Sequence, residues 1–166
     1  MKCSFLIAIS ESAETQKHIN WWDYTKGKKN EDALPRYVTL TDTEGTEVIE
    51  KLLLRAGCPS GTPLEIIQML FEQSKSIEGL KLKEVNAPLE ELFYKAGIVA
   101  GLSLYVEWGS LCDIDRFQTD DLKDHFYDVW YPSSDDIEIF DETLSWIMFV
   151  RHYGRVEIWR QAFPKK

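Results

Sequence analysis

The sequence predicts an α+β domain, an antiparallel sheet with helices packed mainly on one face. Three observations lead there. The middle of the chain carries apolar residues at spacings of three and four, closed by glycine and proline. After Gly101 the apolar period drops to two. The last thirty residues then read as three consecutive strands, a meander, with a tight turn at Tyr153-Gly154. A chain of 166 residues suits a single domain spanning 1–166.

Taken in order, Phe5-Leu6-Ile7-Ala8-Ile9 reads as a first strand; the run is too short for a signal-peptide core, and Glu11 and Glu14 follow at once. Trp21-Trp22 reads as packing at one edge of the core, and the polar stretch Tyr24 to Asp32, with Lys26, Lys28 and Lys29, as a loop. Val48, Ile49, Leu52, Leu53 and Ala56 make the stripe of a first helix, stopped by Gly57 and Pro59. A second opens at Thr62-Pro63-Leu64-Glu65, where Thr62 caps, Pro63 fits the first turn and Glu65 completes a capping box. Its expected buried face is Leu64, Ile67, Met69, Leu70 and Phe71. A third begins after Asn86 with Leu89, Leu92, Phe93 and Ala96, and ends at Gly97. Leu102, Leu104, Val106 and Trp108 alternate with Ser103, Tyr105 and Glu107 as a half-buried strand. Thr119 is placed as the cap of a short helix whose Leu122, Phe126 and Val129 turn inward, until Tyr131-Pro132-Ser133-Ser134 ends it. Ile137 to Phe140, Leu144 to His152 and Arg155 to Gln161 are the closing strands; the middle one is apolar on both faces and therefore central.

Charge is distributed unevenly over this frame. Between Glu107 and Glu142 lie twelve acids and two bases, a net of −10, whereas the rest of the chain holds seventeen bases and sixteen acids, a net of +1. Trp108, Phe117, Phe126, Tyr127, Trp130, Tyr131 and Phe140 sit in the same segment. A negative field makes phosphate backbones and anionic membranes poor partners and suits a basic protein. Aromatic anchors among steering charges are how interface hot spots are built. The candidate partner-binding residues are accordingly Asp113, Asp115, Asp120, Asp121, Asp124, Tyr127, Trp130, Tyr131, Asp135 and Asp136. The ends of the segment are assigned to strands, and the acids between them to a short helix and its flanking loops. The plainer reading of such a charge run is a solvated face that keeps the chain dispersed.

Signatures of chemistry are missing: the sequence has no GxGxxG, no GxxxxGKS/T and no GxSxG. Cys3, Cys58 and Cys112 form neither a CxxC nor a Cys/His cluster, and read as thiols in a reducing compartment, with no disulfide framework and no zinc site. His18, His125 and His152 lie far apart and read as structural or exposed. Asp135, Asp136, Glu138 and Asp141 lack the glycine-turned pattern of a calcium loop. The expectation is thus a cytoplasmic, non-catalytic protein without metal or cofactor. A carboxylate- or metal-dependent hydrolase, using Asp113 with Asp115 or Asp135 with Asp136, is one alternative. An acidic DNA mimic or interaction protein of a mobile element is another.

The block Asp128-Val129-Trp130-Tyr131-Pro132-Ser133-Ser134-Asp135-Asp136-Ile137-Glu138-Ile139-Phe140-Asp141, followed by Trp146 and a strand ending in His152, resembles the C-terminal part of small acidic bacterial immunity proteins encoded beside polymorphic or contact-dependent toxins. The resemblance covers roughly the last third of the chain. It implies a cytoplasmic protein that binds a cognate toxin, often a nuclease with a basic groove, and blocks it.

Overall fold

A computed structural model describes residues 35–57, 62–78, 80, 82, 87–109, 113–132 and 134–161, all within one compact unit, Pro35–Lys166. The expected strand Phe5 to Ile9, the Trp21-Trp22 pair, the loop Tyr24 to Asp32, the helix start at Asn86, His18 and the three cysteines lie outside the described residues. The described residues all belong to the unit that begins at Pro35.

Seven strands form one antiparallel sheet: β1 (Tyr37–Thr39), β2 (Lys75–Ser76), β3 (Ser103–Glu107), β4 (Ile114–Gln118), β5 (Ile137–Asp141), β6 (Trp146–Val150) and β7 (Val156–Arg160). Their spatial order is β1-β4-β3-β5-β6-β7-β2. The α+β class and the C-terminal meander β5-β6-β7 are as the sequence predicts, with β6 inside the sheet and every one of its residues buried. Strand β4 is an addition: Ile114 to Gln118 lies in the acid-rich stretch assigned to helix and loops, and pairs along its whole length with β3.

The helices are α1 (Asp42–Arg55), α2 (Pro63–Glu72), α3 (Leu89–Ala96), α4 (Thr119–Asp124) and α5 (Phe126–Val129). Thr62 and Glu65 close the expected capping box on α2, and Thr41 with Glu44 closes a second on α1. Each satisfies N–H groups that have no partner within the helix. Gly97 ends α3 with φ 61, a left-handed conformation that costs a glycine nothing. Thr119 is not a cap. It is the first residue of α4, and its hydroxyl donates to the Gly101 carbonyl at 2.6 Å, which ties the helix to the start of β3. Nor is Leu64 buried. It is 62% exposed, and Ile66 takes the inward position with Ile67 and Leu70.

Cross-strand register sorts the sheet side chains into two sets. One set, Ile114, Tyr105, Phe140, Ile147, Phe149 and Trp159, packs against Ile49 and Leu52 of α1 and Ile66, Ile67 and Leu70 of α2. The opposite set includes Leu104, Val106, Ile137, Ile139, Met148 and Val150, all fully buried. Here α3 engages the sheet: Phe93 meets Trp146 edge-on with ring centroids 5.8 Å apart, and the Arg160 guanidinium donates to the Ala96 carbonyl. The helices therefore divide between the two faces instead of gathering mainly on one. The apolar character of β6 on both sides demands this, since each large side chain taken out of water contributes about 1.5–3 kcal/mol.

The β5–β6 turn is held by Asp141, whose Oδ1 accepts from Thr143 N at 3.0 Å and Thr143 Oγ1 at 2.5 Å. Leu144 follows with φ 52, a strained backbone for a leucine, and offsets that by burying its side chain in the α1–α2 core.

Candidate functional site

Antiparallel pairing of β3 with β5 sets Glu107 opposite Glu138; the next pairings extend the row to Phe149 and Glu157. Three glutamates thus line up across four strands on the face that α1 and α2 cover. All are buried, Glu107 at 1% and Glu138 at 3% exposure. Carboxylates in that position need donors, because desolvation disfavours the charged form. Two arginines at the end of the β6–β7 hairpin supply some. Arg151 Nη1 donates to Glu138 Oε1 at 2.8 Å while its guanidinium lies 4.4 Å over the Phe71 ring. Arg155 Nη2 reaches Glu157 Oε1 at 2.6 Å. Glu107 Oε2 accepts from the backbone N–H of Gly109 at 2.9 Å.

These donors do not suffice. Oε2 of Glu138 and Oε2 of Glu157 are buried without a hydrogen-bond partner among the described residues. Burial, followed by a hydrogen bond to the Glu107 side chain and the Glu107 charge, pushes Glu138 up to about 8; Arg151 opposes the shift. The orphaned oxygen and the hydrogen bond are compatible when Glu138 keeps a proton and donates it to Glu107. Two carboxyls sharing one proton is the usual outcome where like charges are forced together.

The pair borders a groove of about 420 Å³ between α2 and the β3–β5–β6 edge. Glu107, Asp136, Glu138 and Arg151 supply its polar lining, and Leu64, Phe71 and Tyr153 its apolar walls. Gly109, with φ 78, turns the chain beside it, and strain there would meet any residue with a Cβ.

The residues nominated from sequence do not form one surface. Asp115 is buried in β4, where it accepts from Thr39 Oγ1 at 2.6 Å and Trp108 Nε1 at 3.0 Å. Trp130 is fully buried, its indole N–H donating to the Asp135 carbonyl at 2.8 Å and its ring stacked 5.9 Å from Phe126. Both belong to the interior and leave the candidate contact set. Asp113 sits just before β4, half-buried, its carbonyl accepting from Trp108 N. Asp135 closes the loop after α5 through Tyr131 N and Ser134 Oγ. Asp136 grips the hairpin, accepting from His152 N at 2.6 Å and contacting His152 Nδ1 at 2.9 Å. Tyr127 is half-buried with its hydroxyl on the Ala87 carbonyl at 3.0 Å, and burial raises its pKa. Tyr131 is 46% exposed.

Asp120, Asp121 and Asp124 do come together, on α4 beside the first turn of α3. Asp120 and Asp124 are exposed, and Lys123 stands between Asp120 at 3.7 Å and Glu90 of α3 at 4.0 Å. Asp121 takes a two-pronged bond from Arg36, at 2.9 and 3.1 Å, and that bond holds its carboxyl below the usual range. Lys95 pairs with Glu91 at 2.9 Å, so five acids of α3 and α4 meet three bases, Lys95, Lys123 and Arg36, and the face stays negative.

The sequence reading passed over Glu107, Glu138 and Arg151 as a unit. The sequence weighs Glu138 only with Asp135, Asp136 and Asp141, as an oxygen ligand. The signal that could have found it was β6: a neighbour apolar on both faces implies that both faces of the sheet are covered. Among the described residues no group of three or more His, Cys, Asp or Glu side chains is placed to hold a metal ion, and no helix is long and apolar enough to cross a membrane. Comparison with family models, with curated proteins and with solved structures finds no match to this chain.

Proposed function

We propose that the chain is a cytoplasmic, non-catalytic immunity-type protein that neutralises a basic toxin domain, such as a nuclease, by covering it with the acidic face of α3 and α4. The observation behind this reading is under-compensated charge: Lys123 is shared by Glu90 and Asp120, and Asp124 is exposed on the same short helix. Exposed carboxylates on short helices steer a cationic partner and speed its association, while their pairwise bonds contribute little to folding. Of the three nominated aromatics Tyr131 is the most exposed, with Tyr127 half-buried and Trp130 in the core. The carboxylate pairs considered for hydrolysis already accept hydrogen bonds within the fold, Asp115 from Thr39 and Trp108, Asp135 from Tyr131 and Ser134.

The test is coexpression with the variable C-terminal domain of a toxin encoded beside this chain. Survival of the host and co-purification of the two chains are the expected results. Death of the host despite abundant folded chain would overturn the reading.

A further inference from the structure

We propose that the groove between α2 and the β3–β5–β6 edge is a binding site for an alkylammonium or alkylguanidinium cation, the chemistry shared by lysine and arginine side chains and by free polyamines. The inference is independent of the acidic α3–α4 face. It starts from Glu138, whose side chain is 3% exposed, borders the groove and has an oxygen without a donor among the described residues. A proton shared with Glu107 masks that oxygen; once the proton leaves, a buried charged acceptor remains, and a donor arriving through the groove is favoured.

The charge around Glu138 specifies the donor. Facing it are Glu107 from β3, Asp136 from the loop before β5, and Arg151 from the end of β6. Further along the same row Arg155 already serves Glu157 of β7. The α2 residues on the groove, Leu64, Ile67, Gln68 and Phe71, carry no charge; Tyr153 is the remaining titratable group on its lining, and His152 contacts Asp136 at 2.9 Å. Three carboxyls against one guanidinium favour a cation over an anion or a neutral ligand.

The walls specify its shape. Leu64 is turned outward from a helix whose other large apolar residues are buried or half-buried, and Tyr153 is 48% exposed across from it. An aliphatic stem of three or four methylenes would lie against these two and Phe71, as long basic side chains lay their stems on apolar surface. The cationic head would then replace the proton between Glu107 and Glu138. No covalent step is involved: the cation enters and one proton leaves to solvent.

Isothermal titration calorimetry of the full chain with n-butylguanidinium and n-butylammonium tests this directly. Saturable binding at pH 9 is expected, weakening about tenfold for each pH unit below about 8 as the Glu138 proton competes. Titration at pH 7 in two buffers of different ionisation enthalpy should show close to one proton released per cation bound, a readout that needs no variant. Glu138→Gln, confirmed as folded by circular dichroism, should weaken binding at pH 9 by more than tenfold, whereas Asp120→Lys with Asp124→Lys should leave it unchanged. Absence of heat with both probes at pH 9, affinity independent of pH from 6 to 9, or full binding by folded Glu138→Gln would each overturn the proposal. A glycine peptide with one central arginine or lysine, run beside spermidine, separates the sources: tighter binding of the peptide assigns a protein side chain, tighter binding of spermidine a free polyamine.

Discussion

The acid-rich segment buries carboxyls on both faces of the sheet, and the two faces treat them differently. On the side that meets α3, Asp115 and Asp141 each accept from neutral donors built into the fold: Thr39 Oγ1 and Trp108 Nε1 for the first, Gly101 N and the Thr143 backbone and hydroxyl for the second. Against α1 and α2, Glu107 and Glu138 face each other, and the donors run out before the acceptors do. The first arrangement fixes a turn and a strand edge. The second leaves a proton, or another cation, as part of the structure. Buried acids are therefore not one category here; what separates them is how many donors the local backbone and side chains supply.

Trp130 sets the scale on the α3 side. Replacing it by alanine removes the largest fully buried side chain and the bond to Asp135, and should cost about 3–5 kcal/mol in urea unfolding. A loss below about 1 kcal/mol would return Trp130 to the candidate contact surface. Asp115→Ala comes next. It takes the acceptor from the half-buried Trp108 indole N–H, while the exposed Thr39 hydroxyl turns to water, and should cost roughly 2 kcal/mol, against a much smaller change for Glu138→Gln near neutral pH, where the amide keeps both an acceptor for Arg151 and a donor for Glu107. Equal costs for the two variants would erase the distinction between the faces.

The third expectation concerns pH. Glu138 titrates near 8 in the folded chain and near 4.5 when unfolded. Between those values the folded chain holds a proton that the unfolded chain has released, so stability falls as pH rises across the interval and levels off above about 8, by an amount on the order of a few kcal/mol. Glu44, Glu65 and Asp121, held low by Thr41, Thr62 and Arg36, act in the opposite sense and in a lower range, losing their contribution as pH drops below the ordinary carboxylate values. Urea midpoints from pH 5 to 9 should therefore slope downward in the parent and flatten in Glu138→Gln. An unchanged slope in the variant would place the proton elsewhere.

Local signals carried most of the fold. Thr62 with Glu65, Gly97, and the apolar run Trp146 to Val150 each act within a few residues, and each element stands where those residues put it. What the sequence concealed depends on distant partners. β4 reads as an acidic loop because Asp113 precedes it and Asp115 interrupts it, and donors such as Thr39 and Trp108, far along the chain or across a hairpin, make a buried aspartate tolerable there. Leu64 obeys the helical period yet faces the groove, since the period cannot say which side of α2 has a neighbour. The Glu107–Glu138 pair is a matter of strand register, which no single segment encodes. Among the candidate contacts, Asp120 and Asp124 were readable because exposed charges on a short helix need nothing from the rest of the chain.

That independence makes those two acids the weakest test of folding and a clean test of binding. Asp120 lies 3.7 Å from Lys123, and Asp124 has no ion-pair partner among the described residues. Reversing both to lysine removes one solvent-screened contact and should move the urea midpoint by an amount equivalent to less than about 0.5 kcal/mol. The same substitution reverses the field at the α3–α4 face. Association with a basic partner domain should slow by about tenfold or more at low salt and lose its dependence on ionic strength, while dissociation changes little. Stopped-flow association at two salt concentrations reads both quantities. Unchanged rates with the fold intact would confine these acids to the solvated surface and leave the buried glutamate pair as the chain's one distinctive electrostatic feature among the described residues.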